Sequence, residues 1–221
     1  MNIIGLEYRT SRNGGSWLWP SNDTNQWKYI NKAEHWNFPF EISNLCKNKN
    51  LVIQAGGNAG IYPRHYSTIF KHVVTFEPDY KNFTCLSVNA HSDNVIKIQA
   101  CLGASKKNVK IDFPLDKGNL HQGGIRTLET EGTIPLISID ESFNLTPDLI
   151  HLDIEGFEAF ALMGMVDTIK KSKPIIVLET NGSGDDYGWP EDKINSLMES
   201  FGYVILKKWE HDTAFGYKEK L

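Results

Sequence analysis

The sequence predicts an α/β protein with a doubly wound, mostly parallel sheet, and three observations carry that prediction. From Leu51 onward, short apolar runs alternate with stretches of helical period. The runs are apolar at nearly every position rather than every second one, the mark of strands covered on both faces. A glycine-rich turn follows the first run directly, where open α/β sheets bind ligands.

The strands expected are Leu51–Ala55, Val73–Glu77, Val95–Ala100, Leu149–Asp153 and Ile175–Glu179, each bounded by Gly, Pro, Asp or Asn. One helix starts near Tyr62–Pro63, where proline suits the first turn. A second follows Pro78–Asp79, with Asp79 as its cap, and runs to about Ala90. A third begins at Gly156–Phe157 and ends in the basic stretch Lys170–Lys173, and a fourth spans Pro190 to Phe201, closed by Gly202. Tyr203–Trp209 and Thr213–Tyr217 read as a closing hairpin, which adds one antiparallel strand and brings the sheet to seven. Residues 105–138 fit no simple crossover: Val109–Phe113 and Ile134–Ile139 read as strands around a polar loop, Asp116–Gly132, an insertion near the active-site edge. Residues 1–48 lack a clear period and crowd Trp17, Trp19, Trp27, Tyr29 and Trp36 together, which suits a lid or substrate cover. The domain proper is expected over 49–221.

The 221 residues suffice for one domain with a modest extension. A net charge of −4 gives no reason to expect tight binding to nucleic acid or an anionic membrane. Cys46, Cys85 and Cys101 are odd in number and form no CxxC pair, so neither a disulfide framework nor a zinc site is expected. No apolar run approaches the ~20 residues of a membrane span, and no basic-then-apolar leader opens the chain. These features lead to the expectation of a cytoplasmic protein with reduced thiols, in which the N-x-T sequons at Asn22, Asn82 and Asn144 are chance.

Three groups of residues carry chemistry. Gln54-Ala55-Gly56-Gly57-Asn58-Ala59-Gly60 lies between a strand and a helix, and its glycines allow close backbone approach to a ligand. It lacks the middle glycine of G-x-G-x-x-G and the G-K-[ST] of a phosphate loop, which argues against NAD and ATP. Glu77 ends the next strand, placed to accept hydrogen bonds from both hydroxyls of a ribose. Its bland alternative is helix capping, a task for which Asp79 is better placed. Asp153 closes the fourth strand and Glu155 follows in His151-Leu152-Asp153-Ile154-Glu155-Gly156-Phe157-Glu158, so both face the same cleft or cap a helix. His151, in a buried strand, reads as a core residue.

In order, these motifs resemble the FkbM family of methyltransferases, whose pattern runs D-x-G-A-N-x-G, F-E-P, D-x-E-G-x-E and P-x-x-x-x-E. Here they stand as Gln54–Gly60, Phe76-Glu77-Pro78, Asp153–Glu158 and Pro174–Glu179. The resemblance covers Leu51 to Glu179, and Trp17-Leu18-Trp19-Pro20 with the tail from Tyr187 to Tyr203 is similar to short members carried by bacteriophages. It implies a Rossmann-like class I methyltransferase fold and S-adenosyl-L-methionine as cofactor. The binding set it implies is Gln54, Gly56, Gly57, Asn58, Gly60, Glu77, Pro78, Cys101, Leu102 and Asp153. The family has Asp where this chain has Gln54. Loss of that charge is expected to cost roughly 1–2 kcal/mol, a ten- to thirty-fold weaker site that Gln54→Asp would restore.

Methyl transfer is an in-line displacement in which positioning supplies ~7–11 kcal/mol and a general base roughly 3–5. Asp153, Glu155 and the loop histidine His121 are the candidate bases. The resemblance implies O-methylation of a hydroxyl on a sugar, nucleotide or small metabolite, with the acceptor read by residues 1–48 and 114–132. No metal is expected; a variant that keeps methyl transfer but adds a divalent ion at Asp153 and Glu155, as some O-methyltransferases do, is motivated by fold analogy alone. Oligomeric state is not legible. The competing readings are a catalytically degenerate cofactor-binding protein, which Gln54 alone supports, and a nicotinamide-dependent oxidoreductase, which the glycine spacing disfavours.

Overall fold

The computed structural model describes residues 5–12, 14–23, 25–30, 33–112, 115–116, 119–120 and 125–220. The N-terminal segment holds more order than its lack of period suggested. Strands β1 (Leu6–Thr10) and β2 (Ser16–Pro20) pair as an antiparallel hairpin, followed by helices α1 (Asn25–Tyr29) and α2 (Ala33–Ser43). Trp17 and Trp19 are fully buried. The hairpin is tied to the domain by Asn89: its Oδ1 accepts from Leu18 N (2.8 Å), and its Nδ2 donates to Leu18 O (2.8 Å) and Ala59 O (2.7 Å).

The domain then runs through β3 (Leu51–Ala55), α3 (Ile61–Tyr66), β4 (His72–Phe76), α4 (Tyr80–Asn89) and β5 (Val95–Ile98). Asp79 caps α4 as expected, accepting from the backbone of Lys81 and Asn82, each at 3.0 Å. The expected insertion forms a small second sheet and a separate strand pair. It comprises β6 (Cys101–Leu102), β7 (Lys107–Asp112), the short pair β8 (Leu115–Asp116) and β9 (Asn119–Leu120), β10 (Arg126–Leu128) and β11 (Ile134–Ile137). β8 and β9 pair with each other, and the other four strands lie in the order β10-β7-β11-β6.

After α5 (Ile139–Ser142) and β12 (Leu149–Leu152) the single helix expected from Gly156 to Lys173 is two: α6 (Glu158–Met163) and α7 (Val166–Ser172). The break has a cause. The Gly164 carbonyl accepts from Ser138 Oγ and Asp140 N, both at 3.0 Å, and the Asp140 carboxylate then caps α7 by accepting from Asp167 N and Thr168 N. β13 (Ile175–Glu179), α8 (Glu191–Ser200), β14 (Tyr203–Lys208) and β15 (Asp212–Tyr217) complete the chain.

The main sheet has the order β14-β15-β13-β12-β3-β4-β5, parallel except for β15, which is antiparallel to both neighbours. Alternation within each strand sends Ile53, Val74, Ile150 and Ile176 to the face covered by α6, α7 and α8. Val52, Val73, Leu149 and Val177 go to the face covered by α2, α3 and α4. One level of that second face is polar: Gln54 is in register with Thr75 on one side and His151 on the other. His151 is fully buried with Nδ1 2.8 Å from the Tyr66 hydroxyl, and burial pushes its pKa down to about 3, so it is a neutral core residue.

Candidate active site

The carboxyl ends of β3, β4, β12 and β13 share one edge, and the strand order reverses between β3 and β12. That reversal opens the crevice where such sheets bind ligands. Gly56 makes it possible. Its φ is +83°, and a Cβ there would stand 1.8 Å from the Asp153 carbonyl oxygen, so only glycine lets the first turn pass β12.

Every backbone N–H from residue 56 to 60 is spent on a partner in the turn or at the end of β4. Gly56 and Gly57 both donate to Phe76 O (3.1 and 2.9 Å), Asn58 to Glu77 Oε2 (2.7 Å), Ala59 to Asn58 Oδ1 (2.6 Å) and Gly60 to Gly57 O (2.8 Å). A phosphate cradle needs such donors free and aimed at the anion. This turn offers none, which argues against the nicotinamide dinucleotide reading more strongly than glycine spacing did.

Glu77 is 4% exposed and lines the cleft. Oε2 accepts from Asn58 N and Oε1 from Asp79 N (2.9 Å), and the Asn82 side chain donates to the same carboxylate, so only part of its acceptor capacity is left for a ligand. Burial pushes its pKa up to about 7 against the pull of those donors.

At the opposite end of the cleft stands an acidic corner. Asp153, Glu155 and Glu179 bring carboxylate oxygens within 4.8 Å of one another. Asp153 and Glu179 are hydrogen-bonded, so one carries a proton, and burial raises both. Glu155 sits in the left-handed region (φ 57°). Its pKa is pushed up to about 8 by burial and by repulsion from Asp153 and Glu158, with Arg126 opposing. Glu158 does a different job: its Oε1 accepts from Ile154 N (2.9 Å) and Gly156 N (3.3 Å), bracing the turn that displays Glu155. Asp212 lies across from Glu179 in register, and burial with the same repulsion pushes it up to about 7.

These protons are linked to stability. Glu77 and Glu158 (about 7), Asp212 (about 7) and Glu155 (about 8) hold protons more tightly folded than unfolded. Their contribution is full below the usual carboxyl range and is lost as pH rises through 7–8. His65 and His151, lowered to about 4 and about 3 by burial, act in the opposite sense below 6.5 and offset part of it. The ligand-free protein is therefore expected to lose thermal stability between pH 6 and pH 8. A scanning-calorimetry Tm that rises over that interval would contradict the assignment.

The cleft has a volume of about 700 Å³, within the range of small-molecule sites. Of the residues expected from sequence, Gly56, Gly57, Asn58, Glu77, Pro78, Cys101, Leu102, Asp153 and Glu155 line it. Gln54 and Gly60 do not. Gln54 is fully buried behind the turn, and Gly60 starts α3 where it passes close to Leu86 of α4. His121 lies outside the described residues. Cys101 is no nucleophile, since burial pushes its thiol up to about 11. The lining also includes Trp19, from the segment expected to form a cover, and Tyr62 on α3, Glu179 and Asp212, which received no role from sequence. Glu179 was legible, since it ends its strand as Asp153 does. Asp212 needed the β13–β15 register.

The fold and crevice define a class I, Rossmann-like methyltransferase architecture. NodS, an N-methyltransferase from Bradyrhizobium japonicum WM9 solved with S-adenosyl-L-homocysteine, superposes with a TM-score of 0.57 at 9% identity, over 89% of this chain and 93% of that one. A precorrin-8w decarboxylase from Methanobacterium thermoautotrophicum gives 0.51 at 9% identity, over 81% and 89%. A methyltransferase FkbM from Methylobacillus flagellatus KT gives 0.53 at 18% identity, over 76% of this chain but 43% of that one, so this chain spans less than half its length. Direct comparison with curated protein sequences gives no match. The model of the methyltransferase FkbM domain matches residues 54–205, and the chain belongs to that family of S-adenosyl-L-methionine-dependent methyltransferases. Among the described residues no helix is long and apolar enough to cross a membrane.

Proposed function

We propose that the protein transfers a methyl group from S-adenosyl-L-methionine to a hydroxyl of a sugar, nucleotide or small metabolite, and that the N-terminal segment covers the cleft during the reaction. The observation that carries this reading is one cleft that holds both Glu77 and the proton-holding acidic corner. The cofactor supplies an electrophilic methyl on a cationic sulfonium. Its binding set fits: Glu77 lines the cleft with acceptor capacity left for a ribose hydroxyl, Gly56 and Gly57 let the backbone come close, and the acidic lining suits a net cation.

Glu155 is the base in this reading. Its side chain lines the cleft from a turn braced by Glu158, and its raised proton affinity matches a group that must take a hydroxyl proton near neutral pH. Asp153, held through its own backbone N–H to Ala55 O (3.1 Å) and through its carboxyl to Glu179, orients the acceptor. The test is methyl transfer to a panel of polyols, nucleosides and phenols. Glu155→Gln is expected to lower kcat about 10²–10⁴-fold while leaving cofactor affinity within a few-fold. In the wild type kcat rises with pH as Glu155 ionises. Unchanged kcat in Glu155→Gln, or an identical pH profile, removes Glu155 from the chemistry. The degenerate-scaffold reading rested on Gln54 alone.

A further inference from the structure

The geometry points to Gln54 as a positioning residue whose carboxamide locks the glycine turn, a task the family's aspartate cannot perform in this chain. Its Nε2 donates to Ala55 O and to Gly56 O, both at 2.9 Å, and its Oε1 accepts from Thr75 Oγ1 at 2.6 Å. Both donor hydrogens and one acceptor lone pair are thus used, in a side chain with no solvent exposure. The two carbonyls it holds flank the residue that threads past β12: Ala55 O also accepts from Asp153 N, the strand end of the acidic corner. One side chain therefore fixes β3 to β4 through Thr75 and fixes the turn between the two ends of the cleft.

An aspartate at 54 reverses this arrangement. It has no hydrogen to donate to either carbonyl when ionised, it is one methylene shorter, and its charge would be buried facing two carbonyl oxygens. Restoring the family residue is expected to harm the site, the opposite of what the sequence pattern suggests.

The inference rests on the cofactor placement proposed above, with the ribose at Glu77, and adds that the amino-acid portion passes the turn. S-adenosyl-L-homocysteine reports on both portions, and 5′-methylthioadenosine reports on the nucleoside alone. In titration calorimetry at pH 8, Gln54→Asp and Gln54→Glu are each expected to weaken S-adenosyl-L-homocysteine at least about tenfold, with 5′-methylthioadenosine within twofold of wild type. Gln54→Asn, which keeps a donor amide, is expected to fall between. Thr75→Val frees the carboxamide to rotate without adding charge, and is expected to weaken S-adenosyl-L-homocysteine about threefold with the nucleoside unaffected. It decides the matter if the acidic variants do not fold.

Gln54→Asp binding S-adenosyl-L-homocysteine as tightly as wild type, or more tightly, overturns the lock. So does an equal loss for both ligands, which would mean a general loosening of the fold. Glu77→Ala separates this from the placement: if it leaves 5′-methylthioadenosine affinity intact, the placement falls, while the Gln54 variants still judge the lock through S-adenosyl-L-homocysteine.

Discussion

Gly56→Ala is expected to cost at least about 3 kcal/mol and to abolish cofactor binding. The added methyl would stand 1.8 Å from the Asp153 carbonyl oxygen, a backbone atom directly after the central strand β12 and held there by the Asp153 N–H to Ala55 O. The residue would also hold φ +83°, a region that costs a side chain roughly 1–3 kcal/mol by itself. For a chain of this size the loss corresponds to a Tm about 6–12 °C lower. Gly57→Ala, one position on, is the control. Its methyl meets Leu86 Cδ2 and Thr75 Oγ1, both at 2.9 Å and both side-chain atoms, and the family pattern carries alanine there. A loss of roughly 1 kcal/mol with binding retained is expected. Chemical denaturation of the two variants side by side checks the pair, and equal losses would refute the backbone argument.

Glu77→Ala is expected to weaken S-adenosyl-L-methionine about a hundredfold or more. The substitution removes the ribose acceptor and strands the N–H groups of Asn58 and Asp79, which now donate to its two oxygens at 2.7 and 2.9 Å. Hydrogen bonds to a charged group are worth about 1.5–3 kcal/mol each, so losing one to the ligand nearly suffices. Glu77→Gln does not rescue: an amide presents one acceptor and one donor to two N–H groups, leaving donor facing donor. Titration calorimetry reads both variants. A Glu77→Ala protein that binds within threefold of wild type would place the ribose elsewhere.

The sheet was legible because its strands carry their whole pattern locally. Leu51–Ala55 and Ile175–Glu179 stand as read, and the other parallel strands differ by one or two residues at their ends. Glu77 and Asp153 were legible for the same reason, since a carboxylate closing a buried apolar run must lie at a strand end. The Gln54 side chain was misread because sequence gives its position in the motif but not its partners, which are two carbonyls and a threonine on the next strand. The break between α6 and α7 was hidden because its cause, Ser138 and Asp140, lies more than twenty residues upstream. The N-terminal hairpin was hidden because its burial depends on α4 rather than on its own period.

The bonds from Asn89 to Leu18 span 71 residues, and they set an order of events during synthesis. The hairpin emerges before α4, and the surface it docks on is not finished until α4 has been made. Until then Trp17 and Trp19, both fully buried in the finished protein, have no core to enter. Closure over so long a separation is entropically slow and follows the local α/β contacts. A segment translated before α4 thus settles only after it, and in the interval its exposed tryptophans are an aggregation hazard of the kind chaperones shield.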